Sequence, residues 1–167
     1  MQFERNEVRG GQTGWSPRDP LYRERILDSF GRQGFMQHLG AEIGSLEPGL
    51  CVIILNFRQA VAQQHGFFHG GVVGALADNA AAYAAFTLLA SNQSALTVEY
   101  KVSLVAPSEG DRLKVVGQVV RAGRALTTCR SDIYACTKYR ESLSATALIT
   151  MMTLGSRGDG SPIGLQE

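Results

Sequence analysis

The alternation of apolar and polar residues changes period along the chain, and each change predicts an element. Between Pro20 and Gln37, Leu21, Ile26 and Phe30 recur at near-helical spacing among charged residues, which predicts a short helix. Residues 41–58, AEIGSLEPGLCVIILNFR, read as two strands turning at Glu47-Pro48-Gly49. Residues 71–90 are nearly continuous in apolar character and free of proline, which predicts a long helix. In ALTVEYKVSL the pattern alternates, with Leu96, Val98, Tyr100, Val102 and Leu104 falling on one face. Thr97, Glu99, Lys101 and Ser103 fall on the other, the mark of a strand with one buried face.

Three more strands are predicted in RLKVVGQVVR, ALTTCRSDIYACT and SLSATALITMMTL, separated by turns at Ala122-Gly123-Arg124 and near Tyr139–Glu141. Residues 1–19 are polar and glycine-rich and read as a flexible arm, and 154–167 as a flexible tail. One domain over 20–153 remains. Its order of elements predicts an α+β class, with a long helix against a mostly antiparallel sheet.

Composition narrows the function classes. With 167 residues and a net charge of +1, the chain has no general attraction for nucleic acid or an anionic membrane. Cys51, Cys129 and Cys136 are odd in number and form no CxxC pair, so reduced thiols in a cytoplasmic protein are expected. The first residues lack the basic-then-apolar layout of a signal peptide. Residues 71–90 approach the length of a membrane span but contain Asp78 and Asn79. A central helix wrapped by its own sheet explains them without a bilayer.

Asp78 is the unexpected residue. Its helical neighbours at three, four and seven positions are Gly71, Gly74, Ala75, Ala81, Ala82 and Ala85, all small. Two readings are open: a close helix contact with a hydrogen-bonded acid, or a carboxylate facing a ligand. Gly70 and Gly71 leave N–H groups at the positive end of the helix, where a developing oxyanion is stabilised. Gly70 and Asp78 are separated by about 12 Å along one helix, too far to act on one carbonyl. Two antiparallel copies of the helix would bring Asp78 of one chain to Gly70 of another, a site shared across a two-fold dimer.

The run HGGVVGALAD, His69-Gly70-Gly71 with an acid nine residues after the histidine, resembles the hotdog-fold acyl-CoA thioesterases, particularly the PaaI-like group. The resemblance extends through TVEYKVSLVAPSEGDRL and the later Gly-Arg turn, over roughly residues 40–153. It implies a hotdog fold, a central helix wrapped by an antiparallel sheet, in a homodimer that can pair further into a homotetramer. It also implies hydrolysis of an acyl-CoA to a free acid and CoA, without a cofactor. Gly70 would polarise the thioester carbonyl, with Asp78 of the partner chain as general base or nucleophile. Gln63 would hold the carbonyl or the water, and His69 would orient the loop. Gly71, Phe68, Arg121 and Arg124 would contact substrate, the arginines at the coenzyme A phosphates, while Phe67 and Tyr83 are candidates for the acyl pocket or the core. Gln63 is typical of related enzymes that pair it with Glu, and those carry Ser or Thr where this chain has Ala82. His65 and His69 form an HxxxH pair that no nearby Glu or Cys completes, so no metal is expected. A non-catalytic acyl-CoA binder on the same fold is the alternative function.

Overall fold

A computed structural model describes residues 14–155. The arm before residue 14 and the tail from 156 lie outside the described residues. Two short helices, α1 (Tyr22–Gly31) and α2 (Gly34–Leu39), lead into β1 (Ala41–Glu47) and β2 (Leu50–Asn56). The long helix α3 (Gly70–Phe86) follows, then β3 (Ser94–Leu104), β4 (Arg112–Ala122), β5 (Leu126–Cys136) and β6 (Glu141–Leu154). The single helix expected over 20–37 is two, because the chain leaves helical geometry at Gln33, whose ψ is 99°.

The six strands form one antiparallel sheet in the order β1-β2-β4-β5-β6-β3, and α3 packs on one of its faces. This is the hotdog arrangement that the sequence led us to expect. Val73, Leu76, Ala77 and Ala80 of α3 are fully buried against inward residues such as Val115, Ile133 and Ile149. Two contacts seat the helix. A methyl on Gly117 of β4 would lie 2.3 Å from the Ala80 carbonyl oxygen, so glycine there lets backbone rest on backbone. Ser131 of β5, fully buried, donates its hydroxyl to the Ala77 carbonyl at 2.7 Å. Helical geometry stops at Phe86 rather than at 90, and no helix among the described residues is long and apolar enough to cross a membrane.

Two expectations need correction. Residues 14–19, assigned to the loose arm, are docked: Trp15 packs over Gly49, and Asp19 is buried in an ion pair with Arg25 at 2.9 Å. In β3, the strict alternation fails. A bulge between Thr97 and Glu99 shifts the register, so Thr97 pairs with inward Met151, and Tyr100, Val102 and Leu104 with inward Ile149, Ala147 and Ala145. Leu96 pairs with exposed Met152 on the other side. The apolar face is not buried either, since β3 ends the sheet and Val98, Tyr100 and Leu104 are 56%, 52% and 58% exposed.

Candidate active site

The segment before α3 carries the first group of candidate residues. Ala62 bridges to Phe68, and the loop between them closes with Gln63 N–H donating to the Phe67 carbonyl at 2.8 Å. Gly66 takes a φ of +82° there, a value that other residues rarely adopt. The His65 N–H donates to the Gln63 side-chain carbonyl, which leaves the Gln63 Nε2 group without an acceptor among the described residues. Phe68 is buried edge-on to Phe57, with ring centroids 5.1 Å apart.

His69 is the N-cap of α3. Its Nδ1 accepts from the Gly71 N–H at 2.9 Å, so the ring proton sits on Nε2. Its carbonyl accepts from the Val72 and Val73 N–H groups. His69 thus caps the helix, and the Gly71 N–H is spent on it. Of the first four N–H groups of the helix, only that of Gly70 has no acceptor among the described residues. Gly70, Gln63 and Phe68 line one open groove of about 430 Å³ together with Leu104, Val105 and Pro107.

Asp78, the candidate acid, lies two turns along. The face of α3 that carries Gly70, Gly74 and Asp78 runs along β3. A methyl on Gly70 would lie 3.3 Å from Leu104, one on Gly74 would lie 3.7 Å from Tyr100, and Thr97 donates its hydroxyl to Asp78 Oδ1 at 2.7 Å. Part of the small-residue stripe thus accommodates the chain's own edge strand. Ala75, Asp78 and Ala82 remain half-covered. Burial pushes the Asp78 carboxyl above its ordinary value, and the Thr97 hydroxyl pulls it partly back by favouring the ionised form.

Sequence reasoning missed Thr97 because strict alternation assigns it to the polar face, and only the bulge turns it inward. It supplies beside Asp78 a hydroxyl that the helix lacks at Ala82. The network next door was missed as well. Asn79 Nδ2 donates to Gln33 Oε1 at 2.8 Å, and Gln33 Nε2 donates to the Tyr83 hydroxyl at 2.8 Å, with Ser29 Oγ 3.1 Å away. Asn79 Oδ1 is buried without a partner among the described residues. Tyr83 is 2% exposed against Phe30, a core residue rather than a pocket wall.

The two arginines do not converge. Arg121 follows a bulge after Val119 and pairs with outward Thr128, on the face away from α3. Arg124 lines a separate cavity by the C-terminal end of α3. Among the described residues, no three His, Cys, Asp or Glu side chains are grouped as a metal site would need.

What these groups can do chemically is present an unspent N–H to a carbonyl oxygen and a base to its carbon. Residues 65–138 match the thioesterase superfamily. The chain is similar in structure to a thioesterase family protein from Silicibacter pomeroyi, with a TM-score of 0.79 and 40% identity over 80% of this chain and 98% of that one. A Saccharolobus solfataricus protein named as an esterase is 30% identical over 122 residues, 66% of this chain and 81% of the relative. The 1,4-dihydroxy-2-naphthoyl-CoA hydrolase of Listeria monocytogenes is 26% identical over 92 residues, 55% of this chain and 75% of that protein. The chain belongs to the thioesterase superfamily and is a thioester hydrolase.

Proposed function

We propose that the protein hydrolyses an acyl-CoA to the free acid and CoA in a homodimer with two shared sites. Each site takes Gly70 and Gln63 from one chain and Asp78 with Thr97 from its partner. The observation that carries this reading is the unspent Gly70 N–H on the same helix face as Asp78, with two turns between them. At about 12 Å the two cannot meet at one carbonyl within a chain, but antiparallel helices crossing near Gly74 would bring them together. The exposed apolar edge of β3 beside that face favours a second copy as its cover. A relative named as a CoA hydrolase favours a coenzyme A thioester. The three buried free thiols suit a reducing compartment such as the cytoplasm.

In this mechanism the Gly70 N–H, helped by Gln63 Nε2, polarises the thioester oxygen. Asp78 takes a proton from water as it attacks the carbonyl carbon, and the tetrahedral oxyanion forms against the helix N-terminus. Collapse breaks the carbon–sulfur bond, and the proton held by Asp78 passes to the leaving thiolate. Burial suits Asp78 to this work, because a raised pKa makes it a better proton acceptor than an exposed carboxylate.

Thiol release from a panel of acyl-CoAs is the test. Asp78→Asn should lower kcat by about 10²–10⁴-fold while a substrate analogue still binds. Turnover by the Asn variant at the wild-type rate would remove Asp78 from the mechanism.

A further inference from the structure

The open groove that holds Gly70 also limits which acyl group can sit beside it. Phe67, Phe68, Val73, Leu104, Val105 and Pro107 line it, and no charged side chain among the described residues does. Many of the backbone donors along these walls are already spent. The N–H groups of Val105 and Ala106 both donate to the Ser144 carbonyl, at 2.9 and 3.2 Å. That of Phe68 goes to the Ser108 carbonyl at 3.0 Å, and that of Val73 to the His69 carbonyl at 3.1 Å. Pro107 has none to offer. The Gly70 N–H, by contrast, is unspent.

A carboxylate laid along these walls would lose its water and gain no cation. The loop between β3 and β4 adds repulsion, since both of its charged residues, Glu109 and Asp111, are acids. An apolar chain has the opposite balance, because it frees water from Phe67, Leu104 and Val105 without stranding a polar group. We propose that this groove selects an uncharged, apolar acyl group, anchored by its carbonyl at Gly70, and rejects acyl groups that end in a carboxylate. This selection rests on the acyl-CoA reading above. The amide-bearing arm of coenzyme A matches the same walls poorly, since its polar groups would face donors already spent. At about 430 Å³ the groove has the capacity of a small-ligand site, so the gain from a longer chain ends once the groove is filled.

Oxoalkyl thioethers of coenzyme A keep the carbonyl but cannot be hydrolysed. Full-length protein is titrated by calorimetry with a series of them of increasing length ending in methyl, and with partners of the same lengths ending in carboxylate. Each added methylene should tighten binding by about two- to fourfold until the groove is filled. The carboxylate-ended analogue should bind at least about thirtyfold more weakly than its methyl-ended partner. Val105 is exposed, so Val105→Lys, checked by thermal melting, puts a cation at the groove without opening the core. It should weaken the methyl-ended analogue and tighten the carboxylate-ended one about tenfold. Affinity that does not change with chain length, equal binding of both chain ends, or an unchanged preference in Val105→Lys would overturn the proposal and leave hydrolysis through Asp78 standing. Failure of every analogue to bind would overturn it together with the acyl-CoA reading. No readout here needs turnover, so the Asp78 test remains separate.

Discussion

β1 and β3 both end the sheet, but only β1 is protected. It is seven residues long, interrupted at Gly44, and places Glu42, Ser45 and Glu47 in solvent, with Glu47 paired to Arg23 at 3.0 Å. β3 is eleven residues long, and its exposed residues include Leu96, Val98, Tyr100 and Leu104. Charges and breaks on an edge prevent another strand from adding to it, whereas a long apolar edge invites one. The unprotected edge is also the one that faces Gly70, Gly74 and Asp78. The surface that calls for a cover and the carboxylate that lacks an oxyanion donor of its own therefore lie together. A second copy of the chain would answer both needs.

The strongest way to break the comparison is to move the protection from one edge to the other. Val98→Lys should convert the proposed dimer to monomer in light scattering and lower thioester hydrolysis by at least about a hundredfold. Ser45→Lys, the same charge on β1, should change neither. A monomeric Val98→Lys protein with full activity would separate the edge from the site.

Thr97 offers a smaller and more selective test. Thr97→Val keeps the shape but removes the hydrogen bond that favours ionised Asp78. Activity requires the ionised base, so it falls as pH drops through the Asp78 pKa, which burial holds above that of an exposed aspartate. Losing Thr97 should shift that acid limb further upward, read from a pH–rate profile as a loss of activity that grows towards acid pH.

The smallest effect is on stability, and its sign is informative. A carboxyl whose pKa is raised by folding adds stability below its unfolded value, near 3.8, and that contribution is lost as pH rises through the folded value. At pH 7 the ionised Asp78 therefore weighs against the fold. Asp78→Asn should raise Tm by roughly 2–4 °C at pH 7, with the gain shrinking as pH falls through the folded value and gone below about 3.8. Glu42→Gln on the β1 edge should leave Tm unchanged within about 1 °C.

The strands and the long helix were legible because their apolar period is continuous over many residues. The separation of Gly70 and Asp78 by two turns of one helix was legible because helical rise is fixed. The bulge at Thr97–Glu99 was not, since one extra residue leaves the local pattern intact and only pairing with β6 reveals it. Nor could spacing show that Gly71 spends its N–H on His69 while Gly70 keeps its own. Trp15 looked like an arm residue because its partner, Gly49, is supplied by tertiary structure, and Asp19 because its neighbour Arg25 is held by the distant Leu89 and Gln93 carbonyls. Arg121 and Arg124 are near in sequence, but the bulge after Val119 sends them to different places.

The central claim is that each site is divided between two chains, and subunit complementation tests it most directly. Gly70→Pro removes the one unspent N–H at a helix position that favours proline, after a His69 already at ψ 135°. Asp78→Asn and Gly70→Pro homodimers should each be inactive alone. After subunit exchange, half the dimers are mixed and each mixed dimer holds one intact site, so activity should recover to about one-quarter of wild type. Mixtures that stay inactive while exchange is verified by mass spectrometry would place the whole site within one chain and contradict the account.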